Sequence, residues 1–376
     1  MPDKLGISFC MINRDSIHTL NDCLASIAAL ADEIIVVDTG SNDQSPDLAR
    51  SYGARVIFAP WPHDYSTVRN IYLKNAHCPW ILSLDSDEIL PKINKTNLNA
   101  ILQSSPRTAF QFNIQNYFLP SDFNNDMVND LPDLPEEVLP GISVTRSCTI
   151  RLFPNLPGIR YSYPIHESLV PSLLRMKINI KFLDIPIHHF GFLDENREIK
   201  RKLIAYQALG IKKITFFPGF YLGYFELGKL SLIEKNLDEA AKLFSICVRL
   251  NPTFVHGHYQ LALTLFKLGR FSECQCRLQQ ALSYFPRHLD LIYLAGLLEN
   301  QKGNFQAARN CFSFILQRRP FHYPTCLHLA QTYMKLGEYE KAKAIVLNVL
   351  RKYPNREEFY LMLAQIIELM GSVKKS

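Results

Sequence analysis

Trp80-Ile-Leu-Ser-Leu-Asp85-Ser-Asp87-Glu88 is the stretch on which the reading of this chain turns. Its apolar half, Trp80 to Leu84, has the length and composition of a short buried strand. Three acids then fall within four residues. A buried strand does not tolerate unpaired carboxylates, so Asp85 and Asp87 are expected just past its carboxyl end. In open α/β sheets that is where ligands bind. Two carboxylates one residue apart can share a hard divalent cation, which can also take the oxygens of a diphosphate. The competing reading is a solvated turn or a helix start, where Asp is common.

The surrounding residues supply the sheet. Leu5 to Ile12, Glu33 to Val37 and Arg55 to Phe58 read as strands, and Thr19 to Ala31, Ser45 to Tyr52 and Ser66 to Asn75 as the intervening helices. Such alternation predicts a mainly parallel sheet with right-handed crossovers. The carboxyl ends of its strands share one rim, so Asn13, Asp38 and Asp85 should converge there, where a cleft forms. No P-loop and no G-x-G-x-x-G is present, which argues against P-loop nucleotide hydrolysis and Rossmann dinucleotide chemistry. Further on, Lys95 to Gln103 reads as a helix, and Ala109 to Gln115 and Arg146 to Phe153 as strands. Pro120 to Gly141 holds six acids, four prolines and no Lys or Arg, a loop composition. It reads either as an acceptor-side lid or as a disordered insertion.

The length of 376 residues suits about two domains. No apolar run approaches the ~18 residues of a membrane helix. The start, Met-Pro-Asp-Lys, has no signal-peptide pattern. The nine cysteines are scattered without zinc-site spacing, so they read as reduced thiols of a cytoplasmic protein. Charge is asymmetric: residues 1–190 carry 15 basic and 20 acidic side chains, residues 191–376 carry 26 and 15. The basic half suits an acidic partner or an anionic membrane surface, the inner face included, or else solvated helix faces.

That second half is periodic. After a helical stretch, Asn196 to Phe217, prolines stand at 218, 252, 286, 320 and 354 and glycines at 269, 303, 337 and 371, each set at 34-residue steps. Ala240, Cys274, Ala308 and Ala342 keep the same step. This is the tetratricopeptide period: two antiparallel helices per unit, packed closely at a small residue, with the proline ending the second helix. About four repeats and a last capping helix, Glu357 to Met370, are expected. Cys274, at the small position, reads as core rather than as half of a metal-binding Cys-x-Cys. His256 and His258, two apart on a helix, do not face each other and imply no metal.

Ile7 to Asp15, Glu33-Ile-Ile-Val-Val-Asp-Thr-Gly-Ser-Asn-Asp43, Trp61 to Asn70 and Trp80 to Glu88, in that order, resemble the family 2 glycosyltransferases of the GT-A fold, and most of all the bacterial branch with helical repeats after the catalytic domain. The first loop departs from that branch, which usually reads Lys-Asn-Glu where this chain has Asn13-Arg14-Asp15. The resemblance implies an α/β GT-A (nucleotide-diphospho-sugar transferase) domain at 1–192, a bridging helix at 193–218 and an all-α tetratricopeptide-repeat solenoid at 219–376. It implies an inverting transfer of a sugar from a nucleotide-diphosphate sugar, a UDP-sugar by preference, with Mn²⁺ or Mg²⁺. Asp38 matches the base-contacting position, Arg69 and Asn70 a pair near the nucleotide, Asp85 a residue near ribose and metal, and Asp87 the metal ligand. Ile165-His166-Glu167 resembles the family's Ile-His-Glu element, which makes Glu167 the candidate base for the acceptor's proton. The alternatives for that role are an acid of the 120–141 loop, Asp122 or Glu136, or a structural Glu167 ion-paired to Arg151. Of the pair before Gly191, His188 and His189, the second is assigned to the metal or diphosphate. The acceptor is a protein or peptide, or a lipid-linked glycan. The repeats would recruit it, form a homodimer, or do both. A different class stands beside this one: an interaction scaffold whose transferase domain is inactive.

Overall fold

The computed structural model describes residues 5–118, 136–139, 142–191 and 199–373. The chain divides into two compact units, Met1–Phe216 and Phe217–Ser376.

The first unit is a nine-stranded mixed sheet in the order β3-β2-β1-β4-β8-β6-β9-β5, with β7 beside β8. Strands β1 (Ile7–Asn13), β2 (Glu33–Asp38), β3 (Arg55–Phe58) and β4 (Trp80–Ser83) run parallel. Helices α1 (Ile17–Ile27), α2 (Ser45–Ser51) and α3 (Tyr65–Asn75) make the crossovers. Side chains alternate across this sheet: Ile7, Phe9, Met11, Val36, Trp80 and Leu82 enter one core with α1 and α2, while Cys10, Ile35, Val37 and Ile81 enter another with α3. Helices cover both faces, which is why these strands are apolar throughout rather than alternating.

The parallel expectation stops at β4. Strand β8 (Ile142–Pro154) pairs antiparallel with β4 and with β6 (Thr108–Phe118). Strand β9 (Asn179–His189) runs parallel to β6, and the two-residue β5 (Glu88–Ile89) joins β9 antiparallel. The loop reading of 120–141 is corrected in part: Glu136–Leu139 forms β7 on the edge of β8. Acids and prolines dominate that stretch and mask a four-residue strand whose partner is long and nearby. The rest of it, Asp122 included, lies outside the described residues. Helices α4 (Lys95–Ser104), α5 (Val170–Arg175) and α6 (Ile199–Phe216) complete the unit. Lys212 at the far end of α6 donates to the His63 carbonyl (3.0 Å) and stands 3.8 Å from the Asp64 carboxylate, fixing the helix beside the start of α3.

The second unit is a stack of antiparallel pairs, α7 (Tyr221–Ile233) with α8 (Leu237–Leu250), α9 (Val255–Lys267) with α10 (Phe271–Tyr284), α11 (Leu289–Gln301) with α12 (Phe305–Leu316) and α13 (Tyr323–Lys335) with α14 (Tyr339–Lys352), followed by α15 (Glu357–Val373). Ala240, Cys274, Ala308 and Ala342 are all fully buried, as close helix packing requires. A second small position repeats on the first helices: Gly228, Ala262, Gly296 and Ala330. The residues 16 later are Phe244, Leu278, Phe312 and Val346, so each glycine is matched with a phenylalanine and each alanine with a smaller aliphatic. A Cβ at Gly228 or Gly296 would come within 2.6 Å of the Phe244 or Phe312 ring. The pairs hold interior volume nearly constant by exchanging bulk between two helices.

The turn between the helices of each pair needs a left-handed residue. Gly269, Gly303 and Gly337 supply it at φ +71°, +81° and +74°, but the first pair uses Lys235 at φ +60°. A side chain in that region costs about 1–2 kcal/mol, against about 0.5–1 kcal/mol of extra unfolded-chain entropy for glycine. Lys235→Gly is therefore expected to stabilise the repeat unit by about 0.5–1 kcal/mol, read as a higher midpoint in urea denaturation followed by circular dichroism. No helix of the described residues is long and apolar enough to cross a membrane.

Candidate active site

The sheet register brings the polar positions together. Asn13 and Asp38 are paired neighbours at the ends of β1 and β2, and β4 beside them ends at Ser83. Asp85 and Asp87 follow in the loop to β5. The pairing of β5 with β9 sets Glu88 opposite His189, which carries an imidazole from a hundred residues downstream to the Asp-x-Asp loop.

Five charges of alternating sign form the centre. One Asp85 oxygen accepts from Arg69 (2.6 Å) and the other from Arg151 (2.8 Å). Arg151 also binds Glu88, and the Nε of Arg69 binds Glu167. The order is Glu167, Arg69, Asp85, Arg151, Glu88. Both arginines are buried, and Arg69 further reaches Ser83 Oγ (3.2 Å) with its guanidinium over the Tyr161 ring. Burial pushes the Asp85 carboxyl up, but Arg151 and Arg69 together hold it well below the ordinary carboxylate range. For Glu88 burial wins, and its pKa is raised. The expected structural partner of Glu167 was Arg151; the partner found is Arg69. Arg151 instead bridges the two acids of the loop, because β8 lies beside β4 and delivers its side chain there.

The loop holding Glu167 is tight. Ser162 and Ser168 exchange backbone hydrogen bonds of 3.0 and 2.9 Å, and the Tyr65 N–H donates to the Pro164 carbonyl (2.9 Å). Within it Tyr163 and His166 adopt φ +79° and +48°. Left-handed backbone at two side-chain-bearing residues costs on the order of 1–3 kcal/mol each, and the surrounding contacts hold it in place. Only one Glu167 oxygen is engaged, by Arg69; the other has no hydrogen bond among the described residues.

Asp87 stands apart from the arginines. Its Oδ2 is 3.4 Å from His189 Nε2, and His189 Nδ1 faces Asn116 Oδ1 at 2.7 Å. Burial would lower the His189 pKa, but the Asp87 carboxylate outweighs it and the pKa is raised. A Cβ at Gly191 would collide with Asp87 Oδ2 and lie 2.8 Å from His189 Nε2, so only glycine leaves the space beside the pair open. One carboxylate and one imidazole, the latter oriented through its second nitrogen, fit a divalent cation that takes its remaining ligands from phosphate and water. Among the described residues no cluster of three acids, histidines or cysteines could hold a metal by itself. Both Asp85 oxygens are taken by guanidinium groups, which leaves Asp87 and His189 as the described side chains whose chemistry suits a cation. Gly191→Ala is expected to leave the melting temperature nearly unchanged, since a mobile carboxylate can swing aside; if the pair holds a cation, titration calorimetry should show Mn²⁺ affinity lowered by roughly tenfold or more.

Two assigned residues turn inward. Asp38 is fully buried, accepting from Asn13 Nδ2 (2.8 Å), Ser41 Oγ (2.6 Å) and the amides of Gly40 and Ser41. Burial opposes its ionisation, but these donors, Ser41 foremost, lower its pKa. Asn70 uses both ends of its amide on the Tyr161 backbone, at 3.0 and 2.9 Å. In this structure each shapes a loop of the site. Glu88, Arg151 as its bridge, and Asn116 were not read from the sequence as site residues. A single arginine inside the apolar run Ile150-Arg-Leu-Phe153 was the available signal, because a buried guanidinium demands carboxylates.

Residues 8–151 match the model of the glycosyl transferase family 2, and residues 259–321 and 299–366 match tetratricopeptide-repeat models. The first unit carries a family 2 glycosyltransferase domain. The second unit is a tetratricopeptide-repeat array. The chain is 36% identical to a TPR repeat-containing protein of Synechococcus elongatus over 46% of its own length and 37% of the relative's. It is 31% identical to the lipopolysaccharide core biosynthesis glycosyltransferase LpsC of Rhizobium meliloti over 28% of this chain and 40% of LpsC. The match to the glycosyltransferase SunS of Bacillus subtilis is longer, 20% identical over 73% of this chain and 62% of SunS. The chain thus spans less than two thirds of each of these relatives.

Proposed function

We propose that the glycosyltransferase domain transfers a sugar, with inversion, from a nucleotide-diphosphate sugar to an acceptor nucleophile. The observation that carries this reading is the Asp87–His189 pair beside the charge chain that ends in Glu167, all at the carboxyl end of β4. Asp87 and His189 would hold Mn²⁺ or Mg²⁺, which would supply positive charge to offset that building on the leaving diphosphate. Arg69 fixes one oxygen of Glu167 and so aims the other, which takes the proton from the acceptor hydroxyl or thiol as it bonds to the sugar's C1 and the nucleotide diphosphate departs. Asp85, locked between Arg69 and Arg151, sets the loop that faces the ribose. Asp38 and Asn70 act through the loops they shape. The donor is a UDP-sugar by family preference, and the repeat array recruits the acceptor.

The test is a panel of nucleotide sugars with Mn²⁺ or Mg²⁺, read by thermal shift and by release of free nucleotide. Metal-dependent stabilisation by one donor, with slow nucleotide release, supports the proposal. Failure of every donor to bind at millimolar concentration with either metal would sink it and leave the chain a repeat-based scaffold with an inactive domain.

A further inference from the structure

A groove of about 470 Å³ lies within the repeat unit, between the second helices of the first two repeats, α8 and α10. Its floor is Leu261 and Leu265 of α9, and its walls carry Lys242, Arg249, Arg270 and Arg277 against a single acid, Glu273. These cations are not equally satisfied. Arg270 is neutralised: its guanidinium makes two 2.7 Å hydrogen bonds to Glu273 and stands 3.9 Å from Asp238. Lys242 has Glu239 at 3.4 Å. Arg277 donates to the neutral amide of Gln280 and adds to the field that Arg270 sets at Glu273 without an ion pair of its own among the described residues, and Arg249 has no partner among them.

The repeat register orders them along the groove. The 34-residue step sets Arg270 level with Asn236, and Arg277 level with Leu243, next to Lys242. The sequence of levels is then Arg270, the pair Lys242 and Arg277, and Arg249. At 1.5 Å per residue, Arg277 and Arg249 stand about 9 Å apart along the helix direction. An extended peptide covers that distance in about three residues. A single phosphate or headgroup cannot reach both, whereas two carboxylates three residues apart on one peptide can, each matching the planar fork of an arginine.

We propose that this groove binds an extended acidic peptide segment, with carboxylates about three residues apart on Arg277 and Arg249. The site is built by α8, α9 and α10 of the repeats and does not depend on the transferase reading. Charge complementarity selects the occupant: the walls offer four cations against one acid, Arg249 and Arg277 have no salt bridge among the described residues, and such guanidinium groups favour carboxylates over neutral chains.

The experiment uses the full 376-residue protein and a fluorescein-labelled twelve-residue peptide with Glu at every third position in a Gly-Ser-Leu background, titrated by anisotropy in 50 mM salt. A second peptide carries Gln at those positions. The expected result is saturable binding of the Glu peptide alone, weakened at least tenfold by Arg249→Glu with Arg277→Glu and unchanged by the charge reversal Lys229→Glu on α7. Circular dichroism verifies that the variants remain helical, and Arg249→Lys with Arg277→Lys should retain part of the affinity. Equal binding of the Gln peptide, no saturable binding, or equal affinity in the reversed variant overturns the proposal. So does binding to phosphatidylserine vesicles that the reversal abolishes while the peptide fails to bind.

Discussion

Asp87→Ala is expected to abolish metal-dependent donor binding and to lower nucleotide release by about 10²–10³-fold, the scale of losing one group that stabilises developing charge in a transition state. Stability should barely move. Among the described residues the ion pair of Asp87 is with His189 at 3.4 Å, and a partly exposed pair of this kind contributes only about 0–1 kcal/mol. A large loss of activity on an intact fold separates a metal-holding role from a structural one. The contrast is Asp85, whose carboxylate is clasped by two guanidinium groups and whose removal should damage the site's architecture. If Asp87→Ala retains a Mn²⁺-dependent thermal shift with the donor, the cation sits elsewhere and the assignment of Asp87 and His189 is wrong.

The second large effect concerns folding. Arg69 is buried and joins Glu167, Asp85 and Ser83 across three separate stretches of chain. Arg69→Met keeps much of the volume, strands the Glu167 carboxylate and leaves Asp85 with Arg151 alone. Breaking a buried ion pair costs about 3–5 kcal/mol, and the lower end applies here because the Asp85 side chain is 39% exposed and keeps Arg151. Urea denaturation at pH 7 should show a loss of about 3 kcal/mol for the first unit. The pH dependence carries a sign. The folded-state pKa of Asp85 is depressed, so its contribution is complete above the ordinary carboxylate value of about 3.9 and is lost as pH falls from there toward the folded value. With one arginine gone that depression shrinks. The variant should therefore lose less stability than the wild type between pH 5 and pH 2, the two curves converging on acidification. Parallel curves would mean that Arg69 does not set the ionisation of Asp85.

What was legible in the sequence was what repeats or ends locally. The 34-residue step appears in the residues themselves because each repeat must close two helices on a small side chain, and all four such positions are buried. The strand-then-acid pattern at Trp80–Glu88 placed the carboxylates at the sheet rim because a buried strand has to shed them there. The partners of those carboxylates had no local signature. Glu167 and Arg69 are 98 positions apart, and Arg151 and Asp85 are 66 apart. Which guanidinium meets which acid was decided by β8 lying antiparallel beside β4, and the arrival of His189 beside Asp87 by the two-residue pairing of β5 with β9. Charge attraction is non-specific until a backbone register fixes the distances, so the residue types of the site could be read from the chain, but their pairing was set only by the tertiary structure.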